Sequence, residues 1–317
     1  MNKQNKLHFT KEKLIRYLLS LGMVFLMCFT AEILGEKEII FPEIAALTVG
    51  AWLIPQTPWN VSRPKMIILM TLAALMGIII VNFIPLAMPI KLLLGFIFAA
   101  VCLTVSDTTM YPIISACILP IMMNTESIIY PISVLAMTII IALVNYIMEK
   151  SDINKPLNYS FNPPDIKSQS SLWAKRCVIF SAALLPAVIT GEYLYLAPPL
   201  IVTFVEFSPY NSSKRPLATL ICVSLAALIG FGARCPVQFC SLPIWLCACL
   251  AILALFIVFA LTKKNFPPAG AIALLPLIIP NDKIFLYPIE VIIGCTLLIA
   301  LDMLFFSADK AEVKNLT

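Results

Sequence analysis

The chain has 317 residues, of which 61% are hydrophobic and only 12% are charged, and its formal net charge is +5. Its mean hydropathy of +0.96 exceeds what the core of a soluble domain requires, which excludes a soluble globular protein. The basic residues form no continuous polar domain, so a nucleic-acid partner is also excluded, and the first expected partner is the lipid bilayer.

Twelve apolar segments follow one another along the chain. A membrane helix needs roughly 20 apolar residues to cross a hydrocarbon core about 30 Å thick, and most of these segments approach that length. They cover residues 14–35, 39–55, 65–86, 90–106, 109–123, 128–148, 172–190, 193–207, 217–233, 237–261, 265–280 and 285–306. The first runs into acidic residues without a small-residue cleavage site, so we interpret it as a retained helix. The predicted fold is an all-α polytopic membrane protein with about 12 transmembrane helices.

A polar stretch at residues 151–171 divides the chain near its middle. It separates a predicted first six-helix repeat, 1–150, from a second, 172–317. The two parts share the following elements in the same order: TPWNVSRP at 57–64 and SPYNSSKRP at 208–216, LAALMG ending at Gly77 and LAALIG ending at Gly230, and Tyr-Pro at 130–131 and 287–288. We interpret this order as an internal repeat. Because each unit has an even number of crossings, the two repeats should be parallel.

The distribution of basic residues predicts the orientation in the membrane. If the N-terminus is cytoplasmic and all twelve segments cross, only Lys37, Lys91, Arg234 and Lys283 of the 22 basic residues lie outside, as the positive-inside rule requires. We therefore expect a multi-pass protein of the cell membrane, a bacterial inner or plasma membrane, with both termini and the linker cytoplasmic. Topology alone can explain the basic loops, and attraction of an anion to them is the alternative.

Residues 265–275, NFPPAGAIALL, resemble the signature of the HPP family of integral membrane proteins, whose name comes from a His-Pro-Pro sequence that leads into a small-residue helix. Further similarity lies in Pro198-Pro199-Leu200-Ile201 and in the loop from Ser208-Pro209 to Arg215-Pro216, so the resemblance covers mainly residues 190–306. Phe266 occupies the position of the family's histidine. The link of plant and cyanobacterial members with nitrite transport implies a carrier of a small anion. The first half also resembles aromatic acid exporters and fusaric acid resistance permeases, through its Arg-Pro loop and Gly-containing third helix.

Ionisable residues inside apolar segments are few and are therefore candidates for function, because each is costly to place in the membrane. Asp302 lies in the last segment, and its counterpart in the first repeat is Asn145. We predict that Asp302 faces the interior of the bundle and contributes either to proton coupling or to helix contact. Glu43, Glu206 and Asp107 lie close enough to predicted helix ends to be solvated there.

The predicted substrate site lies where the short segments 109–123 and 265–280 begin. At 1.5 Å per residue these segments are about 22–24 Å long, which is less than the hydrocarbon core, so they should begin or end inside the membrane. The free N–H groups that follow such a start can bind an anion. The predicted binding residues are Pro267, Pro268, Ala269, Gly270 and Ala271, with Pro112 and Ser115 from the other half. The alternative is that these prolines and small residues only permit tight helix packing.

Four basic residues complete the predicted pathway. Lys263 and Lys264 lie at its cytoplasmic mouth, and Arg215 and Arg63 lie in the two repeated loops. Signatures of zinc proteases, P-loop ATPases and serine hydrolases are absent, and the ten cysteines lack metal-ligand spacing, so we expect no enzyme activity, no cofactor and no metal. The favoured function is a secondary transporter, or permease, for a small anion, either inorganic and nitrite-like or an organic acid. The alternatives are a membrane-embedded assembly or regulatory subunit without transport of its own, and an intramembrane enzyme. Homo-oligomer formation is left open.

The orientation can be tested by labelling a single cysteine. In a variant without the ten native cysteines, a cysteine at position 160 should resist a membrane-impermeant thiol reagent in intact cells and react after the membrane is opened. Labelling of position 160 from outside intact cells would contradict the parallel arrangement of the two repeats.

Overall fold

The computed structural model describes residues 11–54, 57–154, 159, 166–209 and 215–314. This part of the chain is helical and contains no strand. Its α-helices are α1 Lys11–Leu34, α2 Glu43–Thr48, α3 Arg63–Phe83, α4 Met88–Val105, α5 Pro112–Met123, α6 Ile129–Lys150, α7 Ile166–Thr190, α8 Pro198–Phe207, α9 Pro216–Cys240, α10 Ile244–Thr262, α11 Pro267–Leu274 and α12 Tyr287–Lys314. A π-helical turn, Val49–Leu53, continues α2, and a 3₁₀ turn, Leu275–Leu277, continues α11.

Each predicted segment contains most of one helix, and several boundaries differ. Helix α9 extends to Cys240 and α10 begins only at Ile244, although the sequence predicted the break between residues 233 and 237. Three other helix starts also differ. The segments at 39–55 and 193–207 begin with 3₁₀ turns, Lys37–Ile39 and Leu194–Leu196, before α2 and α8 start. Helix α7 begins at Ile166, inside the predicted linker. Linker residues 155–158 and 160–165 and loop residues 210–214 lie outside the described residues.

Among the described residues, eight helices are long and apolar enough to cross a membrane. They are Lys11–Leu34, Arg63–Phe83, Met88–Val105, Ile129–Lys150, Gln169–Thr190, Pro216–Cys240, Ile244–Thr262 and Tyr287–Phe306. Large apolar side chains such as Phe83 and Leu261 are more than three-quarters exposed on the outside of the bundle. A bundle that is apolar on both its inside and its outside is typical of a multi-pass membrane protein.

The remaining helices are short, and proline explains where most of them begin. Proline occupies the first turn of α5, α8 and α11, where its missing N–H leaves no hydrogen bond unsatisfied. Pro42 directly precedes α2. Helix α5 is terminated by the residue that follows it, Asn124, which adopts a left-handed conformation with φ 50°. The short helices are thus delimited by local sequence and not by loss of apolar character.

Contacts between helix ends show that the chain alternates between two ends of the bundle. At one end, the starts of α1, α3 and α11 contact the ends of α6 and α2. Arg16 donates to the Ile153 carbonyl, Arg63 donates to Glu149, and Asn265 donates to the Leu53 carbonyl. At the other end, three pairs of helices meet: α3 with α5, α9 with α11, and α1 with α10. Asn82 donates to the Glu126 carbonyl, Arg234 donates to Asn281, and the Trp245 amide donates to Glu32. We call the first the basic end and the second the opposite end. The odd-numbered helices start at the basic end.

The two halves of the chain contact each other through matching pairs of helices. Helix α1 packs on α10 and α7 packs on α4, each with aromatic contacts at the interface: Tyr17 with Phe256 at 4.8 Å between ring centroids, and Phe96 with Phe180 at 4.6 Å. Of the short helices, α2 packs on α11 and α8 packs on α5. The short helices therefore form the centre of the bundle, where the two halves meet.

Glycine allows the short helices to approach their long neighbours. A Cβ atom built on Gly230 of α9 would lie 2.5 Å from the Ala273 carbonyl oxygen and 2.9 Å from Pro276 Cγ. The same contact recurs in the first half, where a Cβ on Gly77 of α3 would meet the Cys117 carbonyl and lie 2.5 Å from Pro120 Cγ. No other residue fits at either position without displacing backbone atoms.

This packing predicts opposite results for two glycines on one helix. Gly230→Ala should lower the free energy of unfolding in detergent by about 1–3 kcal/mol, because the added methyl group overlaps the backbone of α11. Gly232→Ala is the matched control, since nothing lies within 4 Å of a Cβ at that position, and it should cost nothing because alanine is the better helix former. Equal stability of the two variants in denaturation experiments would contradict the packing of α9 against α11.

Candidate functional site

The short helices meet in a buried junction that is built in the same way from both halves. The hydroxyl of Tyr130 at the start of α6 donates a hydrogen bond to the Ala116 carbonyl of α5, at 3.0 Å. The hydroxyl of Tyr287 at the start of α12 donates to the Ile272 carbonyl of α11, at 2.6 Å. Each tyrosine is fully or almost fully buried. These bonds hold α5 and α11 in position at the centre of the bundle.

Glu43, the first residue of α2, lies inside this junction. Only 1% of its surface is exposed, and its Oε1 accepts a hydrogen bond from the Ser115 hydroxyl of α5. Its Oε2 is buried and has no hydrogen-bond partner among the described residues. The carboxyl also interacts electrostatically with Tyr130 and Tyr287. The expectation that Glu43 is solvated at a helix end is therefore wrong, because the 3₁₀ turn at Lys37–Ile39 carries the chain inward before α2 begins.

Helix geometry places this carboxyl about halfway along α3, a helix long enough to span a membrane. Gly77 lies fourteen residues after Arg63, the first residue of α3, and contacts Pro120 of α5. Ser115 lies five residues before Pro120, and α5 runs parallel to α3. At 1.5 Å per residue, Ser115 is therefore about 14 Å from the basic end of α3. This depth is about half of a 30 Å hydrocarbon core.

The predicted binding residues converge on α2, although they belong to different halves. Pro267, Pro268, Ala269, Gly270 and Ala271 are all buried in α11, as are Pro112 and Ser115 in α5. Gly270 is used for close packing, since a Cβ there would lie 3.0 Å from the carbonyl carbon and Cβ of Ala45. The amide of Ala269 donates to the Phe266 carbonyl at 3.1 Å. The structure thus brings these residues together and gives Gly270 a packing role in addition to any ligand contact.

Asp302 is fully buried in α12, on the side of the junction nearer the basic end. Arg176 of α7, which is only 2% exposed, interacts electrostatically with it. Arg176 also donates hydrogen bonds to the carbonyls of Val205 and Ser208, at 3.1 and 2.7 Å. Of the two roles predicted for Asp302, this arrangement favours helix contact, because it compensates a buried guanidinium between α7, α8 and α12.

A polar cavity of about 60 Å³ lies beside Arg176. Its lining comes from both halves, with Asn60, Asp107 and Thr108 from the first and Gln169 and Arg176 from the second. A cavity of this size has room for water, and its polar walls provide hydrogen-bond partners. It forms a polar space between the halves at the basic end.

Asn145, which the predicted repeat pairs with Asp302, belongs to a hydrogen-bonded network at the basic end. The side-chain oxygen of Asn145 accepts from Asn154 at 3.1 Å, and Asn154 also donates to the Ala51 carbonyl. Arg63 forms an ion pair with Glu149, one turn beyond Asn145. Arg63 is thus held by a carboxylate within its own half.

The remaining predicted pathway residues are exposed at the basic end. Lys263 ends α10 in a left-handed conformation with φ 54°, and Lys264 follows it. Arg215 precedes α9 and accepts a hydrogen bond from Thr219 at its backbone carbonyl. No part of this arrangement brings these three side chains to the central junction.

Comparison with known families relates the second half of this architecture to characterised sequences. Residues 169–313 match the family model described as HPP, transmembrane region. The second half of the chain is thus similar to the HPP transmembrane family. The match includes the predicted range 190–306 and indicates a transporter-like role in the membrane. Neither a curated protein nor a solved structure matches the chain.

Within this HPP region, Phe266 lies directly before α11, at the position that the sequence resemblance assigns to the family's histidine. It is the N-cap residue of that helix and is partly buried against the core. An aromatic ring supplies no proton donor or acceptor there, so polar chemistry in the junction must come from other residues. The Glu43–Ser115 pair, which lies outside the HPP region, supplies such groups. The resemblance of the first half to aromatic acid exporters stays a prediction.

Sequence reasoning missed two residues of this site. Glu43 was identified as ionisable but was assigned to a solvated helix end, and Arg176 was counted only among the basic residues that set topology. The depth of Glu43 depends on where α2 starts, which no pattern in the sequence marks. Arg176 had one available signal, since it lies ten residues into α7 as the structure has it, beyond the first turns of a helix.

The electrostatic interaction of Asp302 with Arg176 predicts the effect of removing one charge. Asp302→Asn should lower the free energy of unfolding in detergent by about 3 kcal/mol, because it leaves a buried guanidinium without its compensating charge. Asp282→Asn, at an exposed position in the same region, should leave stability unchanged. An Asp302→Asn variant as stable as the wild type would contradict the electrostatic role of Asp302.

Proposed function

We propose that this protein is a secondary transporter for a small anion, either inorganic and nitrite-like or an organic acid. The observation that carries the proposal is the buried junction in which α2, α5 and α11 meet near mid-membrane around the Glu43–Ser115 pair. Interrupted helices with ionisable groups at this depth are the arrangement that carriers use to bind solutes. The match of residues 169–313 to the HPP family model supports this function.

The proposed substrate site lies between the start of α11, Pro267–Ala271, and the start of α5, with Pro112 and Ser115. Both helices start with proline at the basic end and place their first turns inside the bundle. The positive ends of the two helices favour an anion. The polar cavity beside Arg176 supports a path toward this site from the basic end, since both halves line it.

We further propose that the two halves are parallel repeats of one six-helix unit, with the basic end in the cytoplasm. The matched glycine–proline contacts, the matched tyrosine bonds and the exchanged packing of α2 on α11 and of α8 on α5 support this relation. Gly35 and Gly191, with φ of +70° and +75°, end α1 and α7 in the same way. The positive-inside rule supports the orientation.

The function can be tested with purified protein in proteoliposomes. Uptake of labelled nitrite, acetate and benzoate should be saturable for at least one of these anions, and preloading with the same anion should accelerate it by exchange. A membrane-embedded subunit without transport of its own would give no uptake, and an enzyme would return a changed product. Uptake no faster than in protein-free liposomes for all three probes would contradict the proposal for these anion classes.

The exposed lysines at the basic end give a second prediction. Lys263→Gln together with Lys264→Gln should reduce the initial rate of anion uptake from that side roughly threefold at low salt, and much less at high salt, because the lysines concentrate anions without contacting the site. Lys37→Gln, an exposed lysine at the opposite end, is the matched control and should have no effect from that side. A loss that is independent of salt would argue for direct binding instead.

A further inference from the structure

We propose that Glu43 is the proton-binding residue of this transporter and couples movement of the anion to movement of a proton. This inference rests on the proposed function and assigns the coupling ion that function leaves open. It departs from the sequence-based prediction, which placed proton coupling at Asp302.

The position of Glu43 distinguishes it from the other buried acids. It lies at the contact between the halves, where α2 packs on α11, whereas Asp302 lies beside Arg176 and Glu290 lies near the opposite end with Lys283 and Glu192. The charges of Asp302 and Glu290 thus have a basic side chain nearby. The groups that face Glu43 are the hydroxyls of Ser115, Tyr130 and Tyr287. A neutral surrounding is where a carboxyl can gain and lose a proton without breaking an ion pair.

Among the described residues, no element that packs against α2 places a positive charge beside Glu43. Helix α1 faces it with Ser20, which bonds to Thr48, and with Met27, whose sulfur accepts from the Phe41 amide. Helix α11 has no titratable side chain between Pro267 and Leu274. Cys117 of α5 lies beyond Tyr130 and interacts with that phenol. The titratable groups that interact with Glu43 are therefore two phenols, and one thiol lies beyond Tyr130.

The two oxygens of the carboxyl have different environments, which suits proton exchange. Oε1 is held by the Ser115 hydroxyl, and Oε2 is buried without a hydrogen-bond partner among the described residues. An Oε2 that carries a proton becomes a donor aimed into the junction. A single carboxylate with hydroxyl neighbours suits a proton rather than a metal ion, and the described residues contain no cluster of three or more His, Cys, Asp or Glu.

The second half has no counterpart of this pair. If Gly191-Glu192 corresponds to Gly35-Glu36, then Pro199 stands where the first half has Glu43, and Ala271 stands where it has Ser115. The junction therefore contains one acid and not two. One carboxyl gives a coupling of one proton per transport cycle.

Charge balance links this proton to the anion. A carboxylate at mid-membrane repels an anion in the proposed site a few residues away, and protonation of Oε2 removes that repulsion. In the cycle, Glu43 takes up one proton and the site takes up one anion from the same side. Both are released to the other side, so one proton and one monovalent anion move together without net charge.

The test uses proteoliposomes and the anion that the wild-type protein transports in the uptake experiment. In the wild type, an inwardly directed proton gradient should accumulate that anion faster than protein-free liposomes do under the same gradient, and this passive uptake of undissociated acid is subtracted from every measurement. Glu43→Gln keeps the hydrogen-bonding shape and removes the titratable proton, so it should abolish accumulation and retain exchange of internal for external anion. The matched control is Glu290→Gln, a second buried acid, which should still accumulate the anion.

Different outcomes separate the two proposals. A wild type without uptake or exchange overturns the transporter function, whereas a Glu43→Gln variant that still accumulates the anion in response to a proton gradient overturns the coupling role alone. If Glu43→Gln neither accumulates nor exchanges, infrared spectroscopy of the wild type and Ser115→Ala decides. A carboxyl C=O band that titrates with pH and shifts when the Ser115 hydroxyl is removed supports proton binding at Glu43. A titrating band that does not move in Ser115→Ala contradicts it.

Discussion

The structure depends on the close approach of short helices to their neighbours, which glycine permits at a few positions. Gly77 and Gly230 bring α3 and α9 onto α5 and α11, and Gly270 brings α11 onto Ala45 of α2. In a membrane, helix association relies on such packing, because lipid provides no hydrophobic driving force between helices. Side chains at these glycines would push α5 and α11 away from the centre, and the two halves would no longer meet there.

This packing also determines which polar groups lie at mid-membrane. A short helix begins inside the bundle, so its first residue is buried. At the same depth, a longer helix would have a residue from the middle of its sequence. Glu43 is placed in this way at the start of α2, beside Ser115 of α5. The tyrosines that secure α5 and α11 provide hydroxyl groups around it. The same contacts that assemble the halves therefore build the proposed site.

Much of the fold could be predicted from hydropathy and proline, and much less of the site. Apolar length located all four short helices among the described residues, and proline in the first turn marked α5, α8 and α11. The glycines that end the repeated LAALMG and LAALIG runs, Gly77 and Gly230, make matching contacts with Pro120 and Pro276. The depth of Glu43 was not predictable, because it depends on a 3₁₀ turn whose sequence does not differ from an exposed loop. The partner of Asp302 was not predictable either, since Arg176 is distant in the chain and its position reflects tertiary packing.

The most direct test of this account asks whether transport needs the two halves to move relative to each other. Trp59 and Glu206 come from different halves and meet at the basic end, with Nε1 to Oε1 at 3.4 Å. In a background without other cysteines, a reducible thiol cross-linker between Trp59→Cys and Glu206→Cys should stop anion exchange in proteoliposomes, and reduction should restore it, while each single cysteine variant stays active. Exchange that continues at an undiminished rate in the fully cross-linked protein would contradict a substrate path between the halves.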